Sequence, residues 1–452
     1  MRQIVSPIVL IQKILEQQNP EEGASYRLTA HCVQIEQPEG VLLYHTLTGE
    51  LLLLEKEEAE QLEKLSGAVP ETLTGLISRR FLVPRETNEM ALADLVRGVA
   101  ERLLVKDNIL TKYVIFTTTA CNARCFYCFE AGAKTATMTE ETARAAGKYI
   151  AEHCGGKPVH IEWFGGEPLV NPHVIDVITD YLRQQGVKFN SGITSNGYLF
   201  DASMVWRAKE AWNAERVQIT LDGTEEIYNR RKAYVNPKGS PFQRVLQNIS
   251  LLLDAEIPVV VRLNMDENNE KDLYALVDEL AERFGGRHGF GVYLRVLIEN
   301  LGVEPPSYTE DVRCALAAKA RALWEYFVRK GIAEKRTLRQ RLTFYSCCAD
   351  NVNAATIMPE GRLGRCETTC ERGVWGSVFS DVRDDAMLRR WRERRSPEEL
   401  CRVCAFYPRC TRLKECVARS KRCSPIEREE KMLRLYQAIL DTYEDWKTAG
   451  QG

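Results

Sequence analysis

Thr117-Thr118-Thr119-Ala120-Cys121-Asn122-Ala123-Arg124-Cys125-Phe126-Tyr127-Cys128 follows the apolar run Tyr113 to Phe116 and crowds three thiols into eight residues. The spacing Cys-x3-Cys-x2-Cys leaves a four-coordinate soft metal site one donor short, and no fourth Cys or His lies nearby. A closed structural zinc site wants four ligands. Three thiolates suit a 4Fe–4S cluster in which one iron has no protein ligand and stays open to a small molecule. The bland alternative is three buried or redox thiols in a loop.

Outward from this stretch, strand candidates recur at Tyr113 to Thr119, Val159 to Phe164, Lys188 to Thr194, Val217 to Leu221, Pro258 to Asn264 and Gly291 to Leu297, with helical stretches between them. That alternation predicts βα units and a parallel sheet. Thr137 and Glu140 have capping-box spacing, and Ala146, Tyr149 and Ile150 keep one face of the helix that follows apolar. Barrel-type folds collect their chemistry at the C-terminal ends of strands, and the polar motifs fall there. The second strand runs into Trp163-Phe164-Gly165-Gly166-Glu167-Pro168, where glycines let backbone approach a ligand and a carboxylate can take an ammonium. The third ends in Thr194-Ser195-Asn196-Gly197, whose hydroxyl and amide suit a ribose or carboxylate, or else make a turn. Asp222 closes the fourth strand, and the fifth carries Arg262 and Asn264; a guanidinium facing a barrel interior wants an anion.

The three cysteines, followed about forty residues later by Gly165-Gly166-Glu167, resemble the signature of the radical S-adenosylmethionine (SAM) enzymes. The resemblance implies an α/β fold with a partial (β/α)6 TIM-type barrel. It implies a catalytic 4Fe–4S cluster on Cys121, Cys125 and Cys128 whose open iron binds SAM, with Tyr127 beside the adenine. Gly165, Gly166 and Glu167 would hold the SAM amino group, and Ser195, Asn196 and Arg262 would be further contacts; Asp222 is either a contact or the holder of its turn. The implied reaction is reductive cleavage of SAM to methionine and a 5′-deoxyadenosyl radical that takes hydrogen from an unactivated carbon.

Nine of the fifteen cysteines lie between Cys347 and Cys423, in a stretch with little sustained apolar periodicity, so metal must organise it. Two zinc sites are one metal reading, because Cys-x2-Cys is shared with zinc ribbons. The pattern of Gly361-x4-Cys366 and Cys401-x2-Cys404-x5-Cys410 resembles the SPASM extension of radical SAM peptide-modifying enzymes, which carries two auxiliary 4Fe–4S clusters; five residues rather than three then separate Cys410 from Cys416. By that resemblance Cys347 or Cys348, Cys366, Cys370 and Cys416 would hold the first cluster, and Cys401, Cys404, Cys410 and Cys423 the second. One of the adjacent pair Cys347 and Cys348 is then spare, or the first cluster has an open iron. Cys32, Cys154 and Cys314 stand alone and read as buried small hydrophobes.

The first ninety residues read as strands over Ser25 to Glu36 and Val41 to Leu54, with a turn at Thr48-Gly49, then helices and a short strand at Phe81-Leu82-Val83. This order resembles the winged-helix-like RiPP recognition element that binds leader peptides in ribosomally synthesised peptide pathways; a merely structural extension is the alternative. His31 and His45 read as structural. The division expected is an N-terminal winged-helix-like α+β module (1–90), a helical linker (91–112), the barrel (113–305), a bridging helical region (306–345) and a C-terminal cysteine-rich iron-sulfur domain ending in a helix (346–452). Arg389 to Arg395 reads as a solvated helix face.

A composition 44% hydrophobic and 27% charged is that of a globular chain able to bury a core. A net charge of -2 gives no general pull toward nucleic acid, and no apolar run approaches the roughly 20 residues that span a membrane. With no secretory signal at Met1 to Leu10, a cytoplasmic location is expected, where disulfides are rare. The functional expectation is a maturase that installs an intramolecular thioether crosslink in a ribosomal precursor peptide, fed by an external electron donor such as flavodoxin or ferredoxin. Carbon–carbon crosslinking and sulfatase-maturing oxidation are alternatives within the same chemistry; a multi-cluster electron-transfer protein is the alternative outside it.

Overall fold

The computed structural model describes residues 1–18, 25–104, 109–132, 134–297, 310–339, 348–368, 373–393, 396–410 and 425–451. Six strands, Lys112–Thr118, Val159–Gly165, Phe189–Ser195, Ala214–Leu221, Val259–Met265 and Phe290–Val296, stand side by side in chain order, each parallel to its neighbours. Helices such as Glu140–His153, Pro172–Gln184, Pro241–Asp254 and Glu270–Phe284 return the chain between them. Strand residues Ile115, Ile161, Trp163, Ile193, Ile219 and Val261 share one core with Ile150, Ile178, Leu246 and Leu276 of those helices. The result is a mixed α/β fold with the parallel sheet of a partial TIM barrel.

Two local features differ from expectation. The helix after the cysteine loop starts at Glu140 with Thr139 as its cap, whose hydroxyl accepts from Thr142 N at 3.1 Å. Thr137 cannot serve, because it bridges to Thr118 and its Oγ1 lies 2.9 Å from Thr118 Oγ1. Moreover, the sheet does not stop at six strands. Ala354–Ile357 pairs in parallel with Lys112 to Ile115 on the outer edge of the first strand, and Arg362–Gly364 and Gly376–Ser377 follow antiparallel. The cysteine-rich end thus begins by satisfying the open edge of the barrel sheet.

Toward the N-terminus, Arg2–Val5, Leu51–Glu55, Gly40–His45 and Cys32–Gln37 form an antiparallel sheet in that order, and Tyr26–Leu28 pairs separately with Leu82–Pro84. The hairpin turning at Thr48-Gly49 is present. Its run Leu51 to Leu54 is buried throughout because both faces of the sheet are covered. Leu51 and Leu53, with Val33, Leu42 and Tyr44, meet Ile439 and Tyr443 of the C-terminal helix Pro425–Trp446. Leu52 and Leu54 meet Leu73, Leu76 and Phe81. His31 and His45 are buried, and burial pulls both imidazoles down, toward the neutral form. Cys154 is buried as expected, but Cys314 is exposed on the helix Glu310–Arg329. Among the described residues no helix is long and apolar enough to cross a membrane.

Candidate active site

The mouth of the barrel is built where two strand ends press backbone against backbone. Gly166 N donates to Thr118 O at 3.0 Å and Glu167 N to Ala120 O at 3.0 Å, so the segment after the second strand lies directly on the root of the cysteine loop. This contact requires glycine. A Cβ on Gly165, whose φ is +138°, would sit 2.1 Å from Thr118 O, and one on Gly166 would sit 2.5 Å from the carbonyls of Thr119 and Ala120. Both distances are far inside van der Waals contact.

Glu167 is fully enclosed. Its Oε1 accepts from Ser195 Oγ at 2.8 Å and Leu169 N at 3.2 Å, and its Oε2 accepts from Asn196 N at 2.8 Å. Burial outweighs these donors and pushes its carboxyl up to about 7. The group is a carboxylate site awaiting a cation. Asn196 reaches on to the cysteine loop, donating from Nδ2 to Asn122 Oδ1 at 2.6 Å, while Asn122 Nδ2 is buried with no partner among the described residues. The structure therefore brings Gly165, Gly166, Glu167, Ser195 and Asn196 to one place beside Cys121. Arg262 lies farther round, half-buried on the fifth strand, its Nε donating to Asn264 Oδ1 at 2.9 Å.

Cys121, Cys125 and Cys128 are half-buried on one loop. Burial pushes the Cys121 thiol up to about 12, and the charges of Glu167, Cys125 and Cys128 add to that rise; Cys128 is raised first by burial and then by the charges of Glu130 and Cys125. Among the described residues no trio of ligand-type side chains stands close enough to chelate an ion as it is. The donor set is nonetheless all sulfur and three in number on one loop, which fits an iron–sulfur cluster with one open iron; a bound metal would overturn the protonation that burial favours at Cys121 and Cys128.

Sequence reasoning missed the loop's second support. Lys232, at the end of the helix Glu225–Lys232, is buried with its Nζ 2.8 Å from Tyr127 Oη and 3.3 Å from Asp222 Oδ2, while Tyr127 donates to the same Asp222 oxygen at 2.5 Å. Lys232 O and Ala233 O accept from Arg124 N at 2.9 and 3.1 Å, and Val235 N donates to Asn122 O at 2.8 Å. Asp222, read as a possible turn holder, is the hub of this triad. Lys232 itself gave no signal, because Arg230-Arg231-Lys232 looks like ordinary positive charge at a helix C-terminus.

In the cysteine-rich end, Cys348 Sγ donates to Glu367 Oε2 at 2.6 Å, and Cys366 Sγ lies 3.1 Å from Thr368 Oγ1. Cys401, Cys404 and Cys410 pack together against Tyr407 and Ala93. Cys347, Cys370, Cys416 and Cys423 lie outside the described residues.

Residues 115–280 match the sequence profile of the Radical SAM superfamily. The chain carries a Radical SAM domain. An AdoMet-dependent heme synthase of Methanosarcina barkeri is 28% identical over 171 residues, 37% of this chain and 46% of that protein. A GTP 3',8-cyclase of Chlorobaculum tepidum is 27% identical over 175 residues, 38% of this chain and 52% of that protein. The chain thus spans about half the length of these curated relatives. Among solved structures, anSMEcpe with bound AdoMet aligns with a TM-score of 0.57 at 16% identity, over 75% of this chain and 99% of that one. SuiB of Streptococcus suis bound to the precursor peptide SuiA aligns at 0.53 and 12%, over 87% and 96%. At such identities the likeness is one of fold. The Radical SAM domain itself takes in the cysteine loop, the Glu167 cradle and the Lys232 triad, and it implies SAM and a 4Fe–4S cluster.

Proposed function

We propose that this chain is a radical SAM peptide maturase of the SPASM type, which installs a thioether crosslink in a ribosomal precursor peptide. The observation that carries the reading is the meeting of a three-thiol loop with an enclosed carboxyl group, Glu167, that has no direct ion-pair partner among the described residues, at the barrel mouth. Glu167 holds the SAM ammonium, Ser195 and Asn196 fix the Glu167 carboxylate by their hydrogen bonds, and Tyr127, locked by Lys232 and Asp222, lines the adenine. Arg262 meets the SAM carboxylate. With cluster and SAM bound, the chemistry supplied is one-electron cleavage of the sulfonium, fed by a flavodoxin- or ferredoxin-type donor, to methionine and a radical that abstracts hydrogen from the peptide.

The peptide reading draws support from the fold neighbours, which were solved with peptides: anSMEcpe with Cp18Cys and SuiB with SuiA. It also draws support from a groove of about 700 Å³ beside the strand Cys32–Gln37, lined by Gln34, Glu36, Lys56, Leu62 and Tyr26 among others. Among the described residues that strand pairs on one side only, with Gly40–His45, and the edge left over can take an extended leader as an added strand. The cysteine-rich end, on this reading, holds two auxiliary clusters, one of them accepting the second electron that crosslink formation releases.

Titrating SAM against the anaerobically reconstituted protein and its Glu167→Ala variant tests the assignment. At least tenfold weaker binding by the variant is expected. Equal affinity would favour the multi-cluster electron-transfer reading.

A further inference from the structure

The cysteine loop carries an aromatic ring that the fold holds out of its core. Phe126, adjacent to Cys125, is 57% exposed. Its ring is nevertheless braced. The Arg231 guanidinium faces it, 4.8 Å from the ring centroid, and is itself fixed by two hydrogen bonds to Asp266, at 2.7 and 3.3 Å, with both side chains of that pair buried. Val235, 47% exposed, is tied to the same loop, because its N–H donates to Asn122 O at 2.8 Å. Two large apolar side chains thus face water at the loop that bears the three thiols.

Cations accompany them. Arg124 is exposed, with its Nη1 donating to the carbonyls of Cys121 and Ala123 at 2.7 and 2.8 Å. Arg230, next to Arg231 on the helix Glu225–Lys232, is 67% exposed and makes only a long contact, 3.9 Å, with the exposed carboxylate of Glu226. The buried carboxylates nearby, Asp266 and Asp222, are answered by Arg231 and Lys232. An exposed aromatic seated on a guanidinium and flanked by cations has the make-up of an association surface, and its charge suits an acidic partner.

Position selects the occupant. The Glu167 segment meets the loop at Ala120, and Asn196 meets it at Asn122, so the SAM side of the loop is the one turned to the barrel. Arg124 and Phe126 lie where the loop meets water. A cluster on these thiols takes one electron from outside the chain for each SAM cleaved. Electron transfer weakens steeply with distance, and beside Cys125 the route from solvent is short. We infer that the face formed by Phe126, Val235, Arg124 and Arg230 docks an acidic one-electron carrier protein of the flavodoxin or ferredoxin type. In the docked complex the carrier loses one electron and the cluster on Cys121, Cys125 and Cys128 gains it; no bond is made and no proton moves. The inference rests on the radical SAM reading above.

The test is SAM cleavage by the anaerobically reconstituted full-length chain, driven in parallel by reduced flavodoxin and by dithionite. Phe126→Ser and Arg230→Glu should each raise the KM for flavodoxin at least about fivefold, and added salt should weaken the parent's use of flavodoxin more than that of Arg230→Glu. Dithionite, too small to need a docking face, should support the same rate in the parent and both variants. An unchanged flavodoxin KM in both variants would overturn the inference. So would a parent that is dimeric by light scattering and becomes monomeric in Phe126→Ser with its flavodoxin KM unchanged, which would make the face a contact between two copies. Should Phe126→Ser lose dithionite-driven cleavage, the ring is holding the loop, and Arg230→Glu with Val235→Ser decides on the same readout. If the parent cleaves no SAM even with dithionite, the radical SAM reading itself fails, and the inference falls with it.

Discussion

A carboxylate shut away from water with three donors and, among the described residues, no cation in direct ion-pair contact is half of an ion pair, and Glu167, which feels Lys232 only at a distance, is such a group. Its folded value of about 7 lies above the 4.5 of an ordinary glutamate. Between those values the native chain keeps a proton that the unfolded chain has lost, so the stability this residue contributes falls as pH rises through that window. A ligand ammonium supplies the missing charge and releases the proton. SAM binding at about pH 6 should therefore expel close to one proton from this site, and at about pH 8 almost none, as calorimetry in buffers of different ionisation enthalpy would show; a pH-independent proton count contradicts the assignment. Lys232 makes the complementary case. Removing its ammonium in Lys232→Met leaves Asp222 buried and unpaired, at a cost of about 3–5 kcal/mol in chemical denaturation. Lys232→Met combined with Asp222→Asn should recover most of that loss, and equal losses in the single and double variants would mean that packing rather than charge is responsible.

At the level of elements, the helix Glu225–Lys232 ends on Ala233 with φ +47°, a left-handed conformation that favours glycine. The strain is accepted because the carbonyls of Lys232 and Ala233 must turn toward Arg124 N. Ala233→Gly should stabilise the chain by about 0.5–1 kcal/mol with SAM affinity unchanged; destabilisation in urea titration would show that the alanine methyl packs usefully. The six parallel strands were legible in sequence because most carry short apolar stretches and all recur at intervals with helical segments between them; the third, Phe189–Ser195, shows it least, with Phe189 and Ile193 its only large apolar residues. The strand Arg2–Val5 and the helix Val9–Glu16 were not, since the strand is four residues long and its partner, Leu51 to Leu53, is remote in the chain. The same holds for Ala354–Ile357, a four-residue strand completed by the first barrel strand. The choice of Thr139 over Thr137 as helix cap depends likewise on a distant pairing, with Thr118. Local chemistry announced Glu167, Ser195 and Asn196 through glycine-rich strand ends. It was silent on Lys232, whose role comes from a contact with Tyr127, more than a hundred residues away.

For the whole molecule, the two ends of the chain meet: the C-terminal helix seals one face of the N-terminal sheet, and the helix Glu89–Leu104 grips the Cys401–Cys410 loop. The groove beside Cys32–Gln37, the barrel mouth and the cysteine-rich end thus belong to one framework, an arrangement that would serve the proposed peptide maturase if a leader held at one place presents its core at another. The central claim is that such a peptide leaves oxidised and crosslinked through sulfur. The measurement that tests it most directly is anaerobic co-expression with a short cysteine-containing precursor encoded beside the gene, followed by intact and fragment mass spectrometry with thiol alkylation. Loss of two hydrogens per modification, with the affected thiols no longer alkylated, is the predicted result. An unchanged peptide mass while SAM is being cleaved would contradict it.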